Sequence, residues 1–202
     1  MGRPSIEDLQ NPDLFVTLAV LSHQEIIPFV QQALREHSLV TTGYWVATLL
    51  TLIVAFLSWL GTPFWEGLGL FGYGIILAYL LIILHENIHG MAYRMLGAKD
   101  VRIVYRWRQL TAYCVAHEFT LGQPGFWFVA LAPFVIITVG ILLLFVLLPQ
   151  YALVWSGMLF MHTAACSGDV ALVSYFWRRR DQSIYTYDDA DQGKSYFVGK
   201  SA

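Results

Sequence analysis

Over most of this chain apolar residues run together instead of alternating with polar ones. Four long apolar stretches stand out, at about residues 43–60, 67–96, 126–148 and 152–177. A helix that crosses a bilayer needs about 20 such residues, so each stretch predicts a membrane span. The first lies inside the uncharged segment 38–65, with Trp45, Trp59 and Trp65 placed for the interfacial belts where tryptophan collects. Gly61-Thr62-Pro63 and Pro149-Gln150-Tyr151 mark short turns between spans. The second stretch exceeds what a bilayer requires, so its end near residues 92–95 emerges into the interface and Gly97 stops it. Pro133 falls inside the third stretch, where proline is tolerated if a neighbour satisfies the carbonyl it frees.

The remaining segments have other periodicities. Residues 13–37 place Leu14, Leu18, Leu21, Ile26, Ile27, Val30 and Leu34 mostly at helical spacing. That predicts an amphipathic helix, capped by Asp13 and kinked at Pro28, packed on the protein or lying on the membrane surface. Residues 101–107 and 111–119 are β-branched and aromatic with imperfect alternation. They predict a hairpin at the membrane surface, turning through Arg108-Gln109-Leu110. Residues 1–12 form a loose polar terminus, and 181–202 a polar tail, partly ordered at most. The fold class is mainly α and integral to the membrane: four transmembrane helices, a β-hairpin insert between spans 2 and 3, and an N-terminal amphipathic helix. Three regions follow: an interfacial segment 1–42, a four-span core 43–177 and a tail 178–202.

Composition agrees with this pattern. Charged residues make up 13% of the 202, about half the usual share of a soluble domain. The net charge of -2 gives no reason to expect nucleic acid as a partner. The position of the charges says more than their sum. The short turns carry no lysine or arginine, whereas the loop between spans 2 and 3 carries Lys99, Arg102, Arg106 and Arg108, and the fourth span ends in Arg178-Arg179-Arg180. Basic segments stay inside, so both termini are cytoplasmic in a multi-pass protein of the cell membrane. The arginine triplet anchors the last span and can meet anionic membrane lipid. Cys114 and Cys166 suggest neither a metal pair nor a disulfide scaffold. The first apolar stretch starts too late for a cleaved signal peptide.

The chemistry concentrates in the second span, where the uncharged run from Gly67 to Leu84 ends in His85-Glu86-Asn87-Ile88-His89. Residues four apart on a helix share a face, so His85 and His89 aim their imidazoles at one point, as two ligands of a zinc ion. Glu86 leaves the same turn and serves as general base toward water. Ionisable groups within a span are costly and mark function by default. A catalytic zinc usually has three protein ligands. The candidates are His117, His162, Asp169, Glu118, Cys114 and Cys166. Asp169 is the only carboxylate of the fourth span. His89 and Asp169 each lie roughly 12–13 Å of helix rise from the cytoplasmic end of their spans, whereas His162 stands roughly 10 Å above Asp169. Asp169 is therefore the third ligand, and His162 faces the substrate or supports the site from behind. The reverse assignment stays open, as does a buried pairing of Asp169 with Arg94. His117 and Glu118 read as hairpin packing, and Cys166 as buried packing.

The order of these features resembles the zincin peptidase family of membrane proteins, a domain family of unknown function: H-E-x-x-H in one span, a basic β-like insert, an Ala-Pro-Phe apolar span, then His162 and Asp169 in the last. That family is in turn similar to the site-2 protease class of intramembrane zinc metalloproteases. The resemblance runs from about residue 68 to 187, with His85, Glu86 and His89 matching the motif and Gly168-Asp169 the late aspartate. Site-2 proteases carry that aspartate in Leu-Asp-Gly, whereas here it lies between Gly168 and Val170. The implied function is a zinc-dependent endopeptidase acting on a membrane protein or peptide within or beside the bilayer. The strand-like segments of the β insert either offer an edge to an extended substrate or merely cap the bundle. An alternative is an inactive descendant that binds zinc and a client. A di-iron oxidase would need more than the six histidines present. A metal transporter would need ionisable groups in spans 1 and 3, which have none. Oligomeric state and substrate identity are not legible.

Overall fold

The computed structural model describes residues 3–106 and 111–201. Trp107 and the predicted turn Arg108-Gln109-Leu110 lie outside the described residues. The chain begins with α1 (Ile6–Gln10), β1 (Phe15–Ser22) and α2 (Ile26–Arg35). The long helices α3 (Leu39–Trp59), α4 (Phe64–Leu80) and α5 (Ile82–Met95) follow. Next come β2 (Val101–Arg106), β3 (Thr111–Ala116), β4 (Leu121–Gly122) and α6 (Gln123–Leu147). A single 3-10 turn at Pro149–Tyr151 leads into α7 (Ala152–Ala165) and α8 (Ser167–Trp177), and β5 (Ile184–Asp189) and β6 (Lys194–Lys200) close the chain.

Among the described residues, three helical stretches are long and apolar enough to cross a membrane: Leu39–Trp59, Phe64–Met95 and Gln123–Leu147. The second is α4 and α5 in succession, separated by Leu81 alone. These helices leave large apolar side chains uncovered, among them Phe56, Ile76 and Val146, as a lipid-facing surface requires. The apolar stretch at 152–177 differs from its prediction. It divides at Cys166 into α7 and α8, and neither half alone reaches spanning length. α7 packs closely on α4 through two glycines. A Cβ on Gly74 would stand 2.0 Å from the Val154 carbonyl oxygen, and one on Gly157 would stand 2.2 Å from that of Phe71. Small residues that let backbones approach are how helices associate in lipid.

The N- and C-terminal segments depart most from the pattern read along the chain. Residues 13–37 are not one amphipathic helix. Phe15–Ser22 is a strand, and only Ile26–Arg35 is helical. Leu18 and Leu21 match helical spacing, but the β-branched Val16, Thr17 and Val20 find a partner in β6, and long-range pairing overrides local periodicity. Pro28 falls in the first turn of α2, where its missing N–H costs nothing, so the helix is not kinked there. Asp13 does not cap that helix; its own N–H donates to the Asn11 side chain in the turn before β1. Residues 1–12 contain α1, capped by reciprocal hydrogen bonds between Ser5 and Asp8, with Leu9 buried against Tyr187 and Val198. The tail is ordered as well. β5 and β6 form a hairpin whose turn has Gly193 at φ +64°.

One antiparallel sheet results, in the order β1-β6-β5-β4, so segments far apart in sequence form a single layer. β1 runs from Phe15 opposite Lys200 to Ser22 opposite Lys194, with an irregularity between Thr17 and Ala19. β2 and β3 pair separately as the expected hairpin, from Val101 opposite Ala116 to Arg106 opposite Thr111. A core of Leu121, Phe126, Phe176, Ile184 and Phe197 joins the sheet to α6 and α8, with Phe126 and Phe176 stacked at 4.3 Å. α5 stops as anticipated. Gly97 adopts φ +98°, and the N–H groups of Gly97 and Ala98 reach the carbonyls of Arg94 and Tyr93. This Schellman closure turns the chain back into β2, against the face of α5 that carries Gly90.

Candidate metal centre

His85 and His89 leave successive turns of α5 on one face, and Asp169 leaves the first turn of α8 toward them. The Nε2 atoms of the two histidines are 3.1 Å apart. Asp169 places Oδ2 3.1 Å from His85 Nε2 and Oδ1 3.2 Å from His89 Nε2. Ligands at about 2.0–2.1 Å from a tetrahedral zinc stand about 3.3 Å from one another, so this triangle has the right size. The break at Cys166 matters here, because Asp169 is then presented from the start of a new helix. Among the described residues Asp169 pairs with these histidines, and no ion pair joins it to Arg94.

His89 is held from behind. Its Nδ1 lies 2.9 Å from the carbonyl oxygen of Val129 on α6. A carbonyl only accepts, so Nδ1 carries the hydrogen and the Nε2 lone pair faces the triangle. Val129 is four residues before Pro133, which has no N–H to give it. The proline of the third apolar stretch therefore frees the carbonyl that orients a candidate ligand.

Glu86 is buried beside the triangle, and its Oε2 has no hydrogen-bond partner among the described residues. A buried carboxylate oxygen left bare is costly unless something outside the chain completes it. That orphan atom and the two-imidazole, one-carboxylate donor set both fit a zinc site with water at its open position.

His162 on α7 lies on the far side of His85. The two rings are 6.2 Å apart, and His162 also stacks on Phe134. Ligand atoms of His85, His162 and Cys166 fall within 4.8 Å of one another, whereas the groups able to hold a metal that contain His162 do not include His89. Cys166 is fully buried, and its Sγ is 3.9 Å from His162 Nε2. His117 and Glu118 belong to the hairpin's packing on the sheet. The N–H of Ala190 donates to His117 Nδ1, and the N–H of Glu118, at φ +50°, donates to the Asp188 carbonyl. Cys114 is a free thiol pushed up to about 12, chiefly by burial.

A profile for the family described as "Putative zincin peptidase" matches residues 78–184. The chain belongs to this family. No curated protein and no solved structure matches it. The zincin peptidase match opens at the end of α4, takes in α5, the hairpin, α6, α7 and α8, and closes at the first residue of β5. Every candidate ligand, with Glu86 and His162, lies within it, while β1, α2, α3 and β6 lie outside.

Three further polar residues border the centre's cavity, and none was singled out as a candidate from the sequence. His23 follows β1, Asp188 is the penultimate residue of β5 and Ser195 the second of β6. Ser195 Oγ donates to Asp188 Oδ1 and lies 3.1 Å from His23 Nε2. Burial pushes the Asp188 carboxyl up to about 6, against the lowering effects of Ser195, the Ala116 N–H and His117. Burial, and then the Arg106 charge, hold His23 below the usual imidazole range. No local spacing links these residues. The strand pattern in Ile184-Tyr185-Thr186-Tyr187 was the available signal.

Proposed function

We propose that this zincin peptidase is a membrane zinc metalloendopeptidase that hydrolyses peptide bonds of membrane-associated substrates. The observation that carries the reading is the triangle of His85, His89 and Asp169 beside the bare, buried Oε2 of Glu86. His85, His89 and Asp169 would hold the ion. When bound, zinc supplies Lewis acidity toward a carbonyl oxygen and toward water. Glu86 accepts the proton of the attacking water and returns it to the departing amine nitrogen. His162 stands beside His85, where it supports that ligand or meets the substrate.

The same reading covers the membrane. α3, α4 with α5, and α6 are three spans, and α7 with α8 is the fourth, broken at the level of the site. Lys99, Arg102 and Arg106 and the triplet at 178–180 put the hairpin, the sheet and both termini on the cytoplasmic side. The likeness to site-2 proteases belongs to this proposal too. The test is to purify the protein and measure zinc, then to coexpress it with tagged single-span membrane proteins. About one zinc per chain and cleavage that disappears in His85→Ala are expected. Zinc bound by wild type with no cleavage of any partner, and a partner retained instead, would favour the client-binding alternative.

A further inference from the structure

Two cavities meet at His85 and Glu86, both walled mainly by apolar atoms, the smaller with the larger polar share. One, of about 160 Å³, carries His23, Ser195 and Asp188 in its wall. The other, of about 540 Å³, is bounded by α2, α4, α5 and α7, and Ile27, Val30, Leu34 and Met161 supply much of its apolar surface. Ala112 and Gly168 border both. The larger lies within the usual range for ligand sites, about 300–1,000 Å³, which is room for several side chains.

β3 runs past both. Thr111 and Ala112 border the larger cavity, and Ala112, Tyr113, Cys114 and Val115 border the smaller one. Successive strand residues point to opposite faces, so consecutive residues along one cavity mean that the strand presents its edge there. β3 has one strand partner, β2, which leaves its other edge without a strand among the described residues.

We infer, taking the site to be a peptidase, that the substrate is an extended peptide lying along the β3 edge. It is apolar on one side of the scissile bond, filling the α2 cavity. On the other side it carries a small hydrogen-bonding residue that reaches His23, Ser195 and Asp188. Such a sequence occurs where an apolar membrane segment gives way to a polar one. Main-chain pairing supplies affinity along an edge, and the flanking pockets supply selectivity. Because α2, His23, Asp188 and Ser195 all lie outside the family match at residues 78–184, this selectivity belongs to the chain's own flanks.

The test uses zinc-loaded Glu86→Gln protein in nanodiscs and short fluorescent peptides of four designs: apolar-then-polar, polar-then-apolar, all apolar and all serine-threonine. One mixed order should bind about tenfold or more tighter than either uniform peptide. N-methylation of alternate amides in that peptide should abolish the advantage. Val30→Trp, and Met161→Trp from the opposite wall, should weaken the mixed and all-apolar peptides and spare the polar one. Ser195→Val should weaken only peptides with a polar half. Zinc content and unfolding midpoint report whether each variant is folded. A uniform peptide binding as tightly as the best mixed one, indifference to N-methylation, or displacement of every peptide by a fatty acid would overturn the inference. Wild-type cleavage is scored separately. Cleavage without these preferences removes only the inference, and selective binding without cleavage removes only the peptidase reading.

Discussion

His89 Nδ1 sits 2.9 Å from the carbonyl oxygen of Val129, the one that Pro133 leaves without its helical donor. Proline inside a span normally costs a hydrogen bond, and here the freed acceptor fixes the tautomer and tilt of a candidate ligand. Pro133→Ala restores an N–H that competes for that oxygen. Lost support of this kind lowers metal affinity by about 10–100-fold. Chelator competition with zinc or cobalt should show that loss, while the unfolding midpoint stays level or rises because a helix bond is regained. Val135→Ala, at an exposed position of the same helix, is the control. Unchanged affinity in Pro133→Ala would sink the idea.

Glu86 is assigned proton transfer and not ligation, which separates it from its neighbours experimentally. Glu86→Gln should keep zinc and lose about 10²–10⁴-fold in cleavage rate. Asp169→Ala should lose zinc itself, and His162→Ala should slow cleavage with less metal loss. If Asp169→Ala retains zinc while His162→Ala releases it, the two roles exchange, with His85, His162 and Cys166 as the group to re-examine.

The helices and the H-E-x-x-H pair were legible because both are local. A long apolar run or a spacing of four residues says what it is without reference to anything distant. Asp169 was legible through its cost, as the only carboxylate in its stretch. The sheet was not. β1 reads as a helix by spacing because Leu14, Leu18 and Leu21 fall on one face, and only pairing with β6, at the other end of the chain, makes it a strand. The same distance hid His23, Ser195 and Asp188, which meet only when β1, β5 and β6 are assembled. The break at Cys166 has no proline to announce it. Pro133 was visible, but its partner on α5 was not.

Gly74 and Gly157 carry a prediction about how the centre is held. Each faces the other helix's backbone so closely that an added methyl group meets a carbonyl oxygen. Backbone cannot move aside as a flexible side chain does. Gly157→Ala should force α7 away from α4 and destabilise by about 1–3 kcal/mol. α4 leads into α5 and α7 into α8, so the displacement reaches His85 and Asp169. Zinc affinity should fall together with the unfolding midpoint, whereas Gly140→Ala, where nothing stands within 4 Å, should leave zinc affinity unchanged and the midpoint level or higher. A Gly157→Ala protein as stable as wild type would refute the close packing.

Asp188 gives a pH dependence of unusual sign. Its carboxyl is raised from 3.8 to about 6 by burial. Between those values the folded protein binds a proton that the unfolded chain has released, so stability falls as pH rises through this window. The protonated group is accommodated below about pH 4, and above about pH 6 the buried charge costs roughly 3 kcal/mol, at 1.36 kcal/mol per pH unit. Asp188→Asn removes the titration while keeping an acceptor for the Ser195 hydroxyl. Its stability relative to wild type should therefore improve by roughly 3 kcal/mol between pH 4 and pH 8, whatever the offset set by its new amide facing the Ala116 N–H. Ser195→Ala should carry the wild-type decline on to higher pH at the same limiting slope, because the hydroxyl lowers the carboxyl's pKa. Unfolding midpoints of the three proteins measured across that range check both statements. Parallel curves for wild type and Asp188→Asn would show that Asp188 titrates no differently when folded.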